Sequence, residues 1–324
     1  MHLELRALAA LQGGAFTRAQ AREARYTERQ LKTLLRPGGE WCVLRHGVYA
    51  ERVLLDSLDT TERYVLGVHA IVLSTRPGNA ISHTSAAALH GVPLRPHWLS
   101  LHHVTRPGAL GGRTDNGVTH HRARLEDLDL AERDGFVVTS LARTAVDVAR
   151  LHGFEDGVVA ADAALRLGAT RDELTTMLER CRCWPHNTRA RGAVRIADGG
   201  AETVGETLMR LMVLELDIGV PETQFRVSDG HRTAYVDLRV GRHLFEFDGR
   251  VKYVGRDRGG VADRPVEDVL WDEKRREDWL RGIDGGFGLS RVVWADLFGA
   301  ARKRALRRLG DEYAATVRRF GRAA

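Results

Sequence analysis

The stretch TAYVDLRVGRHLFEFDG, Thr233 to Gly249, decides how the C-terminal third of the chain is read. Thr233 to Val240 and His243 to Phe247 alternate apolar and polar residues as strands do, and Gly241-Arg242 between them is of hairpin type. A further strand, Gln224 to Val227, precedes them across Asp229-Gly230. Side chains two apart on a strand share a face, so Glu246 and Asp248 point the same way while Phe245 and Phe247 point the other. If the hairpin pairs in register, Asp237 lies opposite them. Three carboxylates on one face repel unless a cation sits between them. Hard oxygen ligands suit Mg2+ or Mn2+, and such an ion can activate water and stabilise charge on a scissile phosphate. The other reading of this face is a solvent-facing surface whose acids pair with Arg239, Arg242 and Lys252.

Working outward, Gly205 to Asp217 has the spacing of an amphipathic helix, with Leu208, Leu211, Met212 and Leu216 on one face and Glu206 in its first turn as a fourth acid. Thr188 to Thr203, crowded with Arg, Gly and Ala and broken at Asp198-Gly199-Gly200, reads as a linker. Beyond the hairpin come a charged helix, Trp271 to Arg281, and a closing strand, Ser290 to Trp294. Lys274, Arg275 and Arg276 are consecutive on that helix and cannot share a face. The tail Arg302-Lys303-Arg304, with Arg307 and Arg308, reads as a basic helix with a solvated face.

This order of elements resembles the PD-(D/E)XK nuclease fold. Tyr235-Val236-Asp237, Leu244 to Gly249, Glu273 to Asp278 and Arg291 to Leu297 are more closely similar to very-short-patch-repair-type endonuclease domains, over about residues 202 to 300. The resemblance implies a metal-dependent endonuclease acting on DNA. Asp237, Glu246 and Asp248 would be metal ligands, Glu206 a helper, and Lys274 and Arg276 the cations on the nuclease face. The lysine usual two positions after the Glu is here Asp248, a substitution shared with a variant branch of that fold. That branch often carries a histidine a few residues later, where this chain has Lys252 or Tyr253, and Lys252 is the candidate for the missing cation.

At the other end the pattern is helix, helix, helix, hairpin. Leu3 to Leu11 is stopped by Gly13-Gly14, Thr17 caps a short helix, and Thr27 with Gln30 forms a capping box for a helix bearing Arg29, Lys32 and Arg36. Two short strands around Arg45-His46-Gly47 follow. The arrangement is that of a winged helix-turn-helix, in which Arg29 and Lys32 reach base edges while Arg36, Arg45 and His46 meet phosphates. A small helical cap with solvated basic residues has the same composition. Phe16 to Ala21, the Thr27 helix and Leu44 to Tyr49 resemble the N-terminal winged helix of AbiEi-type antitoxins of type IV toxin-antitoxin systems, a family whose module binds operator DNA.

Between about Thr60 and Ala190, Ala- and Leu-rich helices are interleaved with short strands. The doublets His102-His103 and His120-His121 suggest metal ligands on neighbouring strands, but no Asp or Cys at fixed spacing completes a set, and strand-surface histidines account for them as well. In Thr139 to Asp147, Thr139 or Ser140 suits a helix cap, and Arg143 with Asp147 an i,i+4 pair. These segments and His83-Thr84-Ser85-Ala86 resemble the antitoxin-like domain of the same family.

The expected architecture is therefore multidomain α+β: a winged helix over 1–52, an α/β middle domain over 58–190, and a nuclease-like domain over 198–324. A length of 324 residues suits two or three domains, and Lys plus Arg exceed Asp plus Glu by 49 to 43, raising the expectation of an anionic partner. Cys42, Cys181 and Cys183 fit no disulfide or zinc pattern, no run approaches the roughly 20 apolar residues of a membrane span, and no secretory h-region opens the chain. The expectation is a soluble cytoplasmic protein that binds DNA, and through the antitoxin resemblance a cognate toxin or a second copy of itself. Two functions follow: an endonuclease using Mg2+ or Mn2+, or a non-catalytic antitoxin and repressor whose nuclease domain is degenerate. Nothing in the strand pattern distinguishes DNA from RNA as the target.

Overall fold

The computed structural model describes residues 1–75, 78–109, 111–249, 266–283 and 286–321, and Lys252 and Tyr253 therefore lie outside the described residues. The chain is a mixed α and β protein of two compact units, Met1–Ile196 and Ala197–Ala324.

The first unit opens with α1 (Leu3–Leu11), β1 (Ala15–Thr17), α2 (Arg18–Glu23), α3 (Glu28–Leu34), β2 (Trp41–Arg45) and β3 (Val48–Glu51). The caps read from the sequence form: Thr17 and Thr27 each accept from the backbone three residues on, and Gln20 and Gln30 reciprocate. Between the Gly13-Gly14 stop and the Thr17 cap, β1 is a strand, because Ala15, Phe16 and Thr17 pair with Ala50, Tyr49 and Val48 of β3. Around Trp41, the side chains of Leu5, Phe16, Tyr26 and Leu31 make one small core.

The unit continues through α4 (Arg52–Ser57), α5 (Thr60–Ser74), β4 (Ala80–Ile81), α6 (His83–Leu89), β5 (His102–Arg106), β6 (Arg113–Asp115), β7 (Val118–Arg122), β8 (Leu130–Arg133) and β9 (Phe136–Thr139). It ends in α7 (Leu141–His152), α8 (Phe154–Arg166), α9 (Arg171–Arg180) and α10 (Asn187–Ile196). Leu66 and Ala70 of α5 pack with Ala15, Cys42, Val48 and Ala50, so the N-terminal elements share apolar contacts with the middle of the chain. The middle sheet has the order β6-β7-β5-β4-β9-β8. Its helical face rests on a buried charge network: Arg143 bonds Asp147 at 2.7 Å and Asp129 at 3.0 Å, and Arg150 bonds Asp147 at 2.9 Å. Ser140 caps α7 through the Arg143 N–H. The Thr188 to Thr203 linker expectation is corrected in its first half: α10 is helical because Ala190, Ala193 and Val194, at i, i+3 and i+4, are buried.

The second unit contains α11 (Val204–Glu215), β10 (Glu222–Ser228), β11 (Thr233–Val240), β12 (His243–Asp248), α12 (Val266–Gly282), β13 (Gly288–Val293) and α13 (Gly299–Phe320). The sheet order is β10-β11-β12-β13, antiparallel except for the last, parallel pair. Val227, Val236 and Leu244 meet Leu280, Ile283 and Phe287 in one apolar cluster. Helix α11 lies so close to β12 that a Cβ on Gly205 would fall 2.1 Å from the Phe247 ring. Among the described residues no helix is long and apolar enough to cross a membrane.

Candidate active site

The hairpin register read from the sequence forms at its turn end, where Val240 faces His243, Arg239 faces Leu244 and Leu238 faces Phe245. Continued by one step, that register sets Asp237 against Glu246. There the side chains take over from the ladder: the Phe247 N–H donates to Asp237 Oδ2 at 2.7 Å. An antiparallel pair would otherwise commit this N–H to a main-chain carbonyl.

Among the described residues, Asp237, Glu246 and Asp248 line one cleft of about 710 Å3 together with Glu202, Gln224, Tyr235, Phe247, Arg276 and Arg291. Glu246 is buried to 9% exposure and is ion-paired with Arg276, whose other terminal nitrogen donates to Tyr235 O at 2.7 Å. Arg291 comes to the site because β13 runs parallel to β12 and sets Arg291 beside Glu246. Arg291 also pairs with Glu277 of α12 at 3.2 Å.

Other expected site residues are placed differently. Glu206 is buried at the start of α11, where its carboxylate accepts from the Glu202 N–H at 2.8 Å and from the Thr203 hydroxyl at 2.9 Å. The acid that this turn contributes to the cleft wall is Glu202. Of the two cations expected from α12, Arg276 lines the cleft, whereas Lys274 is exposed and sits 5.9 Å from the Trp271 ring centroid. Arg239, the alternative partner for the acids, pairs with Glu222 at 3.8 Å and lies over Phe225. Arg242 donates to Gly286 O at 3.3 Å. The sequence does not single out Glu202 or Arg291. The signal for Arg291 is its place on the closing strand, but that strand's pairing partner is a tertiary fact.

Carboxylate oxygens are the ligand type of hard divalent cations. Those of Asp237, Glu246 and Asp248 line one open cleft without all lying within 4.8 Å of one another, and Asp237 is held by a main-chain N–H that fixes one of its oxygens. Arg276 and Arg291 add positive charge to the same walls, as an anionic substrate would require.

In the first unit, Arg29, Lys32 and Arg36 are exposed on or just after α3, whose inward side is Leu31. His46 is exposed at the β2–β3 turn. Arg45 is half-buried and reaches the middle sheet: its Nη1 donates to Asn116 O at 3.4 Å, and with Arg106, Arg113 and His120 it lines a cleft of about 410 Å3.

The histidine doublets are split by strand alternation. On β5, His102 stacks on the Tyr64 ring at 4.5 Å, while His103 turns to the opposite side. On β7, His120 joins the arginine-lined cleft and His121 meets His103, Nδ1 of His103 lying 2.9 Å from Nε2 of His121.

No family model matches the chain. It is similar to two proteins of Mycobacterium tuberculosis, the uncharacterized protein MT2308 of strain CDC 1551 / Oshkosh and the uncharacterized protein Rv2248 of strain ATCC 25618 / H37Rv. To each it is 31% identical over 211 residues, spanning 63% of this chain and 70% of the relative. With more than two thirds of each relative covered at that identity, the chain belongs to the same protein family as these two mycobacterial proteins.

Proposed function

We propose that the protein is a DNA-binding, metal-dependent endonuclease-like protein of the PD-(D/E)XK kind, with a winged helix-turn-helix at its N-terminus. The observation that carries this reading is the meeting of Asp237, Glu246 and Asp248 in one cleft walled by Arg276 and Arg291. Asp237, Glu246 and Asp248 would hold Mg2+ or Mn2+, which when bound supplies an activated water and charge stabilisation at phosphorus. Arg276 and Arg291, on the same walls, would meet the phosphate charge. The exposed Arg29, Lys32 and Arg36 give α3 a basic outer face suited to a major groove.

Supercoiled plasmid incubated with the purified protein should be nicked or linearised with Mg2+ or Mn2+ and not with EDTA, and Asp237→Asn should abolish the cut. Absence of cleavage across double-stranded, single-stranded and mismatched DNA and across RNA would remove the enzyme reading. A second reading, a non-catalytic antitoxin or repressor, is favoured by two observations: Arg276 is ion-paired with Glu246, and Asp248 stands where the PD-(D/E)XK fold usually carries lysine. Retention of duplex binding without cleavage would select it.

A further inference from the structure

In the first unit, three histidines from three separate elements converge. His83 is the first residue of α6, His103 the second of β5 and His121 the fourth of β7. One ring nitrogen of each lies within 4.8 Å of the others. The His83 and His121 rings stack at 3.7 Å between centroids, and His103 stands 5.2 Å from His121. His83 and His103 are only 6% and 5% exposed.

The backbone is shaped to bring them together. Parallel pairing sets His103 beside Thr119 and Thr105 beside His121, which makes His103 and His121 diagonal neighbours on one face. His83 reaches them from a left-handed conformation, φ +53°, that a residue with a Cβ rarely adopts. Its Nδ1 lies 3.0 Å from Ser82 Oγ, which leaves Nε2 as the nitrogen available to ligate. In neutral imidazole one ring nitrogen carries the lone pair, so a bound ion would take the place of the present His103–His121 hydrogen bond.

We propose that His83, His103 and His121 form a binding site for a late first-row divalent metal ion of the Zn2+ class. Ligands about 2.0–2.1 Å from a tetrahedral ion stand about 3.3 Å apart, so small ring movements would convert the present cluster into a coordination set. Three imidazoles select such an ion over Mg2+ or Ca2+. The fourth ligand would come from solvent on the His121 side, where the cluster is only partly buried. Asp147 also lies near His121, but its carboxylate is ion-paired to Arg143 and Arg150. A second trio, His97, His152 and Asp156, is a poorer set, because Asp156 is already ion-paired to Arg95 and the His97 side chain is 48% exposed.

The test uses full-length protein stripped with EDTA, then loaded with Zn2+ for stoichiometry after dialysis and with Co2+ for its visible absorption. Wild type, His152→Ala and Asp237→Asn should each retain about one Zn2+ and show the intense bands of four-coordinate, nitrogen-ligated Co2+. His121→Ala and His121→Gln should lose both signals while keeping the wild-type circular dichroism, and Zn2+ should raise the melting temperature of the wild type but not of these variants. Zn2+ that survives in His121→Gln, or fails to bind folded wild type, overturns the site. Zn2+ lost only in Asp237→Asn assigns the ion to the carboxylate cleft and overturns it equally.

Discussion

Asp237 and Phe247 are joined by a hydrogen bond outside the regular strand ladder, the Phe247 N–H donating to Asp237 Oδ2 at 2.7 Å. The carboxylate therefore does two jobs, accepting from the main chain and facing the cleft, and two substitutions separate them. Asp237→Asn keeps an oxygen acceptor for the N–H and should abolish metal-dependent cleavage with little loss of stability. Asp237→Ala removes the acceptor as well and should cost a further 1–3 kcal/mol or so, read as a lower urea midpoint. Equal stability of the two variants would show that the bond contributes nothing.

Arg276 competes with any cation for Glu246. Arg276→Gln should lower the Mn2+ concentration giving half-maximal cleavage by about two- to fivefold, the scale of a partly exposed ion pair. The maximal rate should fall, because a cation on the wall of the cleft is removed. An unchanged metal requirement would mean that the ion pair and the cation occupy different places.

Arg29 and Lys32 are expected to act together on α3. Replacing both base-edge readers by alanine should weaken duplex binding by about 1–3 kcal/mol for each lost contact and relax sequence preference. A slope of log affinity against log salt that falls by about one for each residue, with sequence preference kept, would place them on phosphates instead. No change in affinity at physiological salt would take α3 out of the interface.

Gly205 has a steric prediction. An added methyl meets the Phe247 ring at 2.1–2.5 Å, in a place where ring and helix are both buried. Gly205→Ala should destabilise by about 1–3 kcal/mol through overpacking, measured by thermal or urea unfolding. Phe247 lies between Glu246 and Asp248, so cleavage should fall along with stability.

His243 provides a pH signature. It is 1% exposed, with Nδ1 2.6 Å from Thr316 Oγ1 and Nε2 2.8 Å from Ser290 Oγ, and burial pushes it down to about 4 with Arg281 acting the same way. The unfolded chain takes a proton on this ring near 6.5, whereas the folded chain does so only near 4. The contribution is thus fully present above about 6.5 and is lost as the pH falls toward about 4, by at most roughly 3 kcal/mol. Unfolding measured across that range should be less pH-dependent in His243→Gln than in wild type.

Much of the local structure is legible in the sequence because it depends on near neighbours. The capping boxes at Thr17 and Thr27, the β11–β12 hairpin and the common face of Glu246 and Asp248 are set by spacings of two to four residues. The turn of α10 toward the core is not, since its Arg- and Ala-rich composition resembles a linker until Ala190, Ala193 and Val194 find α7, α8 and α9 to pack against. Glu206 reads as a catalytic acid by order alone, and only the fold shows its carboxylate closing the first turn of its own helix. His83 has no role legible in the sequence, because nothing local signals that a left-handed residue will carry its ring onto a strand far along the chain.

The doubled histidines of β5 and β7 have a consequence for how this region tolerates change. A one-residue slip of a strand exchanges its two faces, which at most positions would put a polar side chain into the interior and an apolar one outside. With histidine at both 102 and 103, and at both 120 and 121, either frame presents an imidazole to each side of the sheet. A slip that moves His102 into the place of His103, or His120 into that of His121, would keep an imidazole at the buried cluster but turn Val104 or Val118 out of the core, whereas a slip of β12 would take Glu246 and Asp248 off the cleft face together.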